Sequence, residues 1–411
     1  MREVLFQFNV GPTTWAYLSA LMTVGIYFKF HRLWSVRNLD LIALALFAPG
    51  LLMVYHGLLE RQPSLVQGGY IWLFAVGGFF LIRLLLDPVM VRRPLLAPNL
   101  SAGGLTFSGA ALLVFLLSNV VTNPQERLEH VLSAQEAAIL EAPGYPPLMR
   151  FATAAESPDE ALKKTDPPTY RRALLEMVAV RGVAIVTHLI VVLGIVLVGY
   201  RHFDNIHTGV AAATLYLLVF YTSQLTGRVD HVLPAALLVW AVESYRRPFF
   251  SGMMIGFAAG LIFYPLFLLP LWLGFYWRRG LWRMIVGVSL AMLILVGALL
   301  VAGDVGQGQL RQMFGFSLFS PEVLAGFWRF HEPVFRIPVA AAFVALSASF
   351  ALWPAQKNLG TLLSCSAAVM LATQFWHVPQ GGLYMAWYLP LLVLTIFRPN
   401  LEDRMALTAV V

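Results

Sequence analysis

Charge is scarce in this sequence. Asp, Glu, Lys and Arg together make up 12% of 411 residues, about half the share of an ordinary soluble domain, while 59% are hydrophobic and the mean hydropathy is +0.73. A soluble globular protein is excluded by that balance, and an all-α polytopic membrane protein is expected. Cysteine is nearly absent. Cys365 stands alone inside an apolar run, which excludes an internal disulfide and leaves the redox compartment undetermined. The nine histidines are scattered, with no His-Glu-x-x-His, no Cys-x-x-Cys and no glycine-rich loop followed by Lys-Ser/Thr. Gly-x-Ser-x-Gly is missing too, so soluble nucleotide or serine-nucleophile chemistry has no footing. The formal charge of +7 sits in short basic clusters between apolar runs, which is the positive-inside pattern and argues against a nucleic-acid partner. The start "MREVLFQFNVGPTTW" lacks the order of a signal peptide, so the first apolar run is expected to be a retained span.

What is there is apolar sequence in blocks. Stretches near 12–29, 39–60, 69–87, 101–121, 180–200, 208–226, 231–245, 284–303, 337–353, 358–376 and 382–397 approach the roughly 20 residues a crossing needs. Basic junctions at Lys29, Arg32 and Arg37, at Arg92 and Arg93, at Arg201, Arg246 and Arg247, Lys357 and Arg398 fall on one side if the N-terminus is outside. That side is then cytoplasmic, the C-terminus included. A bacterial inner membrane with about eleven full crossings is the expected setting.

Residues 246–279 interrupt the pattern. Between two arginine pairs run 30 uncharged residues, about 45 Å of helix against a bilayer core of about 30 Å. Both arginine pairs want the cytoplasm, so the segment is expected to leave and return as two short, tightly packed helices. Pro265 and Pro270 supply the bend, and Gly252, Gly256 and Gly260 give the first limb a small-residue face.

Few ionisable residues fall within the spans. Arg83 and Asp87, four apart, are expected to pair on one helix face. Arg181 and His188 share a face at the outer part of the fifth span, where Arg181 meets headgroups or holds a lipid phosphate. Glu243, His202 and His207 are expected to be solvated. The outer side carries more: long polar segments 122–172 and 304–336 and short turns "TGRVDHVLP" and "WHVPQGG". They bring the carboxylates Glu126, Glu129, Glu136, Glu141, Asp230, Asp304, Glu322 and Glu332 to the same surface as Arg228, Arg311, Arg329 and Arg336. Singly these are ordinary loop charges. Together, a carboxylate base beside arginines is the minimum for moving a group from a phosphate to a hydroxyl.

From residue 101 onward the order of features resembles the GT-C class of membrane glycosyltransferases, which use polyprenyl-phosphate sugars. A span leads into a long outer segment containing "GYPPL", which is similar to that class's Tyr-Pro-Pro element. The stretch "GRVDHVLPAALLVWAVESYRRPFFSGMMIGFAAGLIFYPLFLLPLWL" resembles its glycine-spaced helix followed by a Tyr-Pro helix, and "GGLYMAWYLPLLVL" its last aromatic span. The resemblance implies a core over 101–411, with 1–100 as an added three-span extension. It implies Glu126 or Glu129 as the base, Arg228 and Arg329 as phosphate partners, Asp230 at an Asn-like position of the pattern and Tyr145 as a sugar-stacking residue. A lipid-phosphate sugar as donor, a glycan or lipid as acceptor and room for a divalent metal come with it. The chain departs from the class in having no aspartate pair after the fourth span and no lysine before Tyr264, where Leu261, Ile262 and Phe263 stand. A secondary transporter or a non-catalytic assembly subunit are the rival readings.

Overall fold

The computed structural model describes residues 10–90, 96–122, 144–153, 166–277, 279–301, 307–314, 326–377, 380–401 and 404–406. Among them there is no strand: the described elements are helices, as a chain bonded to itself within lipid must be. Glu126, Glu129, Glu136, Glu141, Asp304 and Glu322 lie outside the described residues.

Local chemistry sets the helix ends. Proline occupies the first turn of α1 (Pro12–Tyr27), α4 (Pro63–Leu86), α7 (Pro167–His202) and α11 (Pro248–Ile262), where a missing N–H costs nothing. Side-chain caps from Ser35, Asp166 and Asn205 open α2 (Val36–Ala45), α7 and α8 (Ile206–Leu218). Asn358 and Thr361 form a reciprocal capping box on α16 (Leu359–Ala372).

Among the described residues, five helices are long and apolar enough to cross a membrane: Val36–Leu59, which joins α2 to α3 (Phe47–Leu59), Pro63–Val89, Ala102–Thr122 (α5), Pro167–His202 and Leu281–Val301 (α13). That is an integral membrane protein's composition, though fewer long spans than hydropathy alone leads one to expect. The remaining apolar stretches form shorter helices. α8 has 13 residues, α10 (Val229–Glu243) has 15, α11 has 15 and α16 has 14, so each is about 20–23 Å long against a core of about 30 Å. The turn between α9 (Phe220–Gln224) and α10 stops beside the middle of α7, where His188 Nε2 lies 3.0 Å from the Thr226 carbonyl. α16 and α17 (Leu389–Phe397) are buried throughout and α10 nearly so, α8 and α11 are buried over more than half of their residues, and most residues of α5 and α13 are not buried.

The basic junctions gather at one end of the bundle. Lys29 Nζ donates to Asn99 (2.7 Å), Arg37 to the Arg398 carbonyl (3.4 Å) and Arg279 to the Ala406 carbonyl (3.2 Å), while Arg404 pairs with Asp204. The expected Arg83–Asp87 pair is present at 2.9 Å, but it is half of a larger network. Arg83 also reaches Asp40 (3.1 Å) and Asp87 also accepts from Arg398 (2.5 Å). Glu243 and His202 are not solvated as expected. Glu243 is buried and paired with Arg201, and its carbonyl lies 2.7 Å from His202 Nε2, because α7 and α10 end side by side.

The 246–279 segment bends one residue before its Tyr-Pro pair. Phe263 has φ +62°, uncommon for a non-glycine residue, and its ring packs against Tyr264 and Phe267. A 3₁₀ turn, Tyr264–Leu268, and α12 (Leu269–Phe275) then lead back. The Tyr276 hydroxyl donates to the Tyr245 carbonyl at 2.5 Å, so the segment ends where it began. Its glycine face meets α13 rather than the returning limb. A Cβ on Gly252 would lie 2.2 Å from the Met284 carbonyl oxygen, and one on Gly256 2.7 Å from that of Val288. Gly252→Ala is therefore expected to destabilise by about 1–3 kcal/mol through overpacking. Gly297→Ala, whose Cβ meets nothing within 4 Å, is expected to be neutral or to gain up to about 1 kcal/mol of helix propensity. Thermal unfolding in detergent separates the two.

Candidate functional site

The short hairpins end against one another, and their tips carry the polar residues. Three places supply them: the link from α9 into α10, the bend at Tyr264, and the irregular stretch between α16 and α17. The last is held by Gln374, whose side-chain oxygen accepts from the backbone amides of Gly382 (3.1 Å) and Tyr384 (3.2 Å). That substitutes for the helical bonds this stretch lacks.

At the first place Arg228 grips Asp230 with two bonds, Nε to Oδ1 at 2.9 Å and Nη2 to Oδ2 at 2.6 Å. Both residues are buried, and the paired geometry offsets the charge that burial would otherwise make costly. The adjacent His231 has Nδ1 2.7 Å from the Tyr221 hydroxyl and Nε2 3.6 Å from Asp230 Oδ2, beyond hydrogen-bond length. Its ring lies 4.3 Å, centroid to centroid, from Tyr384, which continues at 4.6 Å to His377. His377 in turn has Nδ1 2.5 Å from the Tyr264 hydroxyl, with Trp387 packed beside both rings. Arg336 closes the far edge, its Nε donating to the Trp376 carbonyl at 2.8 Å. One polar and aromatic floor thus runs from Arg228 to Arg336.

Several buried atoms of this floor have no hydrogen-bond partner among the described residues: His377 Nε2, both amide atoms of Gln380, and the indole N–H groups of Trp376 and Trp387. Native proteins leave few buried polar atoms unpaired, since each costs about 1–3 kcal/mol. Several at one place mark room for a polar ligand or ordered water. Imidazole and indole N–H groups with two guanidiniums suit a phosphate or a hydroxyl-rich group, and aromatic ring faces suit a sugar. A divalent metal is not fitted by these residues. Asp230 spends both oxygens on Arg228, and among the described residues no cluster of three or more His, Cys, Asp or Glu is found.

Of the residues singled out from sequence, Arg228 and Asp230 belong to this floor. Tyr145 lies next to it. Its amide donates to the Leu261 carbonyl (2.8 Å) and its hydroxyl to that of Leu295 (3.2 Å), and the helix that follows, α6 (Pro146–Thr153), packs on α10. Its hydroxyl thus docks on α13 and its amide on α11. Arg181 points elsewhere, from within α7 to the Val121 carbonyl near the end of α5, at 3.3 Å. Arg329 is exposed on the 3₁₀ turn Gly326–Phe330, which Trp328 pins over the floor by donating to the Phe375 carbonyl at 3.2 Å. Glu126 and Glu129 are outside the described residues. Tyr221, His231, His377, Tyr384 and Trp387 are missed by sequence reasoning. Their signal is polar and aromatic residues crowded into "YTSQLTGRVDHV" and "WHVPQGGLYMAW", which hydropathy assigns to turns and spans alike. No family model matches the chain, and neither the curated proteins nor the solved structures include a match to it.

Proposed function

We propose that the chain is an integral membrane glycosyltransferase of GT-C type, moving a sugar from a polyprenyl-phosphate donor to a glycan or lipid acceptor at the face opposite its basic end. The observation that carries this reading is the buried floor, where two guanidiniums, two imidazoles and unpartnered indole and amide groups meet at the tips of helices that stop partway through the bundle. A lipid phosphate reaches such a place from the side while its chain stays in the bilayer. There the donors at Arg336, His377 and Trp376 steady the departing phosphate, and Trp387 and Tyr384 offer ring faces to the sugar. Glu126 or Glu129 takes the acceptor's proton. About eleven crossings, the basic end in the cytoplasm and a bacterial inner membrane complete the proposal, with the short hairpins counted as partial crossings made good by the protein around them.

The full chain in detergent, given a polyprenyl-phosphate hexose and a lipid acceptor, is expected to release polyprenyl phosphate. Changing Glu126 and Glu129 together to Gln is expected to cut turnover about 10²–10⁴-fold, the share general-base catalysis supplies, with donor binding retained. Full turnover in that double variant removes both residues from the site.

A further inference from the structure

A second cavity lies at the opposite end of the molecule from the floor. It encloses about 830 Å³ where the last turn of α7, the start of α8, the end of α10 and the start of α11 converge, a volume in the range of small-molecule sites. Its lining is of two kinds, here called its polar and apolar halves. Arg201, Arg246 and Arg247 form the polar half, and Tyr200, Trp240 and Phe250 the apolar half. Tyr200 and Phe250 are 58% and 47% exposed, so the apolar half opens along the outside of the bundle. Trp240 is held upright between helices by its indole N–H, which donates to the Ile190 carbonyl at 3.1 Å.

The charges do not cancel. Glu243 is taken by Arg201 and Asp204 by Arg404, which leaves Arg246 and Arg247 without an acidic partner among the described residues. Arg246 is steadied by the Tyr245 hydroxyl, 3.2 Å from its Nε. His202, also in the lining, is 4% exposed, and its Nδ1 has no hydrogen-bond partner among the described residues. Two surplus guanidiniums and an unmet buried imidazole nitrogen at a mouth flanked by exposed aromatic rings call for a ligand that is anionic at one end and apolar at the other. A lipid of the adjacent leaflet has that form.

We propose that this cavity binds the phosphate headgroup of an anionic phospholipid, with Arg246 and Arg247 on the phosphate and an acyl chain along Tyr200, Trp240 and Phe250. The site is separate from the transfer site and stands or falls without it. A free phosphate compound shares the headgroup chemistry but has no use for the apolar half.

Trp240 provides the readout. In mixed micelles, brominated phosphatidylglycerol is expected to quench the share of fluorescence that Trp240→Phe removes at about tenfold lower mole fraction than brominated phosphatidylcholine, in line with two cationic side chains at an anionic headgroup. Arg246→Gln with Arg247→Gln is expected to abolish that preference, and the paired lysine variant to keep most of it. Both arginines are exposed, so neither change disturbs the core. Equal quenching by the two lipids, or a preference that survives the glutamine pair, overturns the proposal. So does inorganic phosphate raising the unfolding temperature in lipid-free detergent as much as phosphatidylglycerol does, because the ligand is then a soluble phosphate.

Discussion

Asp87→Ala is expected to remove about 3–5 kcal/mol of stability, the cost of breaking a buried ion pair by deleting one partner. Asp87 is 0% exposed. One of its oxygens accepts from Arg83 at 2.9 Å, and the other from Arg398 Nη2 at 2.5 Å and Nε at 3.0 Å. Arg83 has Asp40 as a second partner, at 3.1 and 3.2 Å, so it keeps one carboxylate when Asp87 goes. Arg398 loses the two bonds it makes to this buried carboxylate, and it sits at the end of α17 against Gly360 of α16. The loss should therefore appear as loosening of α17 from α4 before global unfolding. Asp87→Ala combined with Arg398→Met removes both members and fills the space. It is expected to recover more than half of the loss, since replacing a whole buried pair by apolar groups is often near neutral. Unfolding in a denaturing detergent, followed by tryptophan fluorescence, measures both. Equal losses in the single and double variants would show that packing at Asp87, not its charge, supports this end.

His377→Phe is expected to lower sugar transfer about 10²–10³-fold, the range seen when one preorganised donor to a developing anion is removed. The phenyl ring keeps the contacts that His377 makes with Tyr384 and Trp387 and deletes two nitrogens, one facing Tyr264 and one without a partner. Tyr264→Phe takes away only the bond that holds the imidazole in place, so a loss of about tenfold, some 1.4 kcal/mol, is expected from a single neutral hydrogen bond. The order of the two effects distinguishes roles. If Tyr264→Phe were as damaging as His377→Phe, the pair would act as a unit. If both left turnover unchanged while the protein stayed folded, the floor would not be where transfer occurs.

Hydropathy and proline placement made parts of this fold legible. The long apolar runs became the five long helices among the described residues, and Pro265 marked the bend of the 246–279 segment to within two residues. Hydropathy leads one to expect more long spans than the described helices show, for a physical reason. In 208–245 and 358–397 the apolar run includes the turn as well as the helix, because the turn is buried in protein and has no need to be polar. "LYMAWY" therefore reads like a span, although it is a bend and one 3₁₀ turn, held by Gln374. The Arg83–Asp87 pair is visible at helical spacing, whereas Asp40 and Arg398, 43 and 315 positions from Arg83 (83 − 40; 398 − 83), become its neighbours only after folding. At the site, Arg228 and Asp230 carry charge and so drew notice in a charge-poor chain. His231 and His377 matter through unmet ring nitrogens, and that property belongs to the packed structure rather than to the residue type.

The irregular chain between α16 and α17 has a bearing on how the molecule is put together. Non-helical backbone cannot rest in lipid by itself, and α17 has only nine residues, too few to cross alone. This region can settle only into a socket already walled by other helices, and α17 is tied by Arg398 to Asp87 on the α4 side of that socket. The helices that make the walls precede it in the chain. Order of synthesis then matches order of assembly, and a defect in the early helices would leave α17 and the irregular chain before it exposed to quality control rather than merely misplaced.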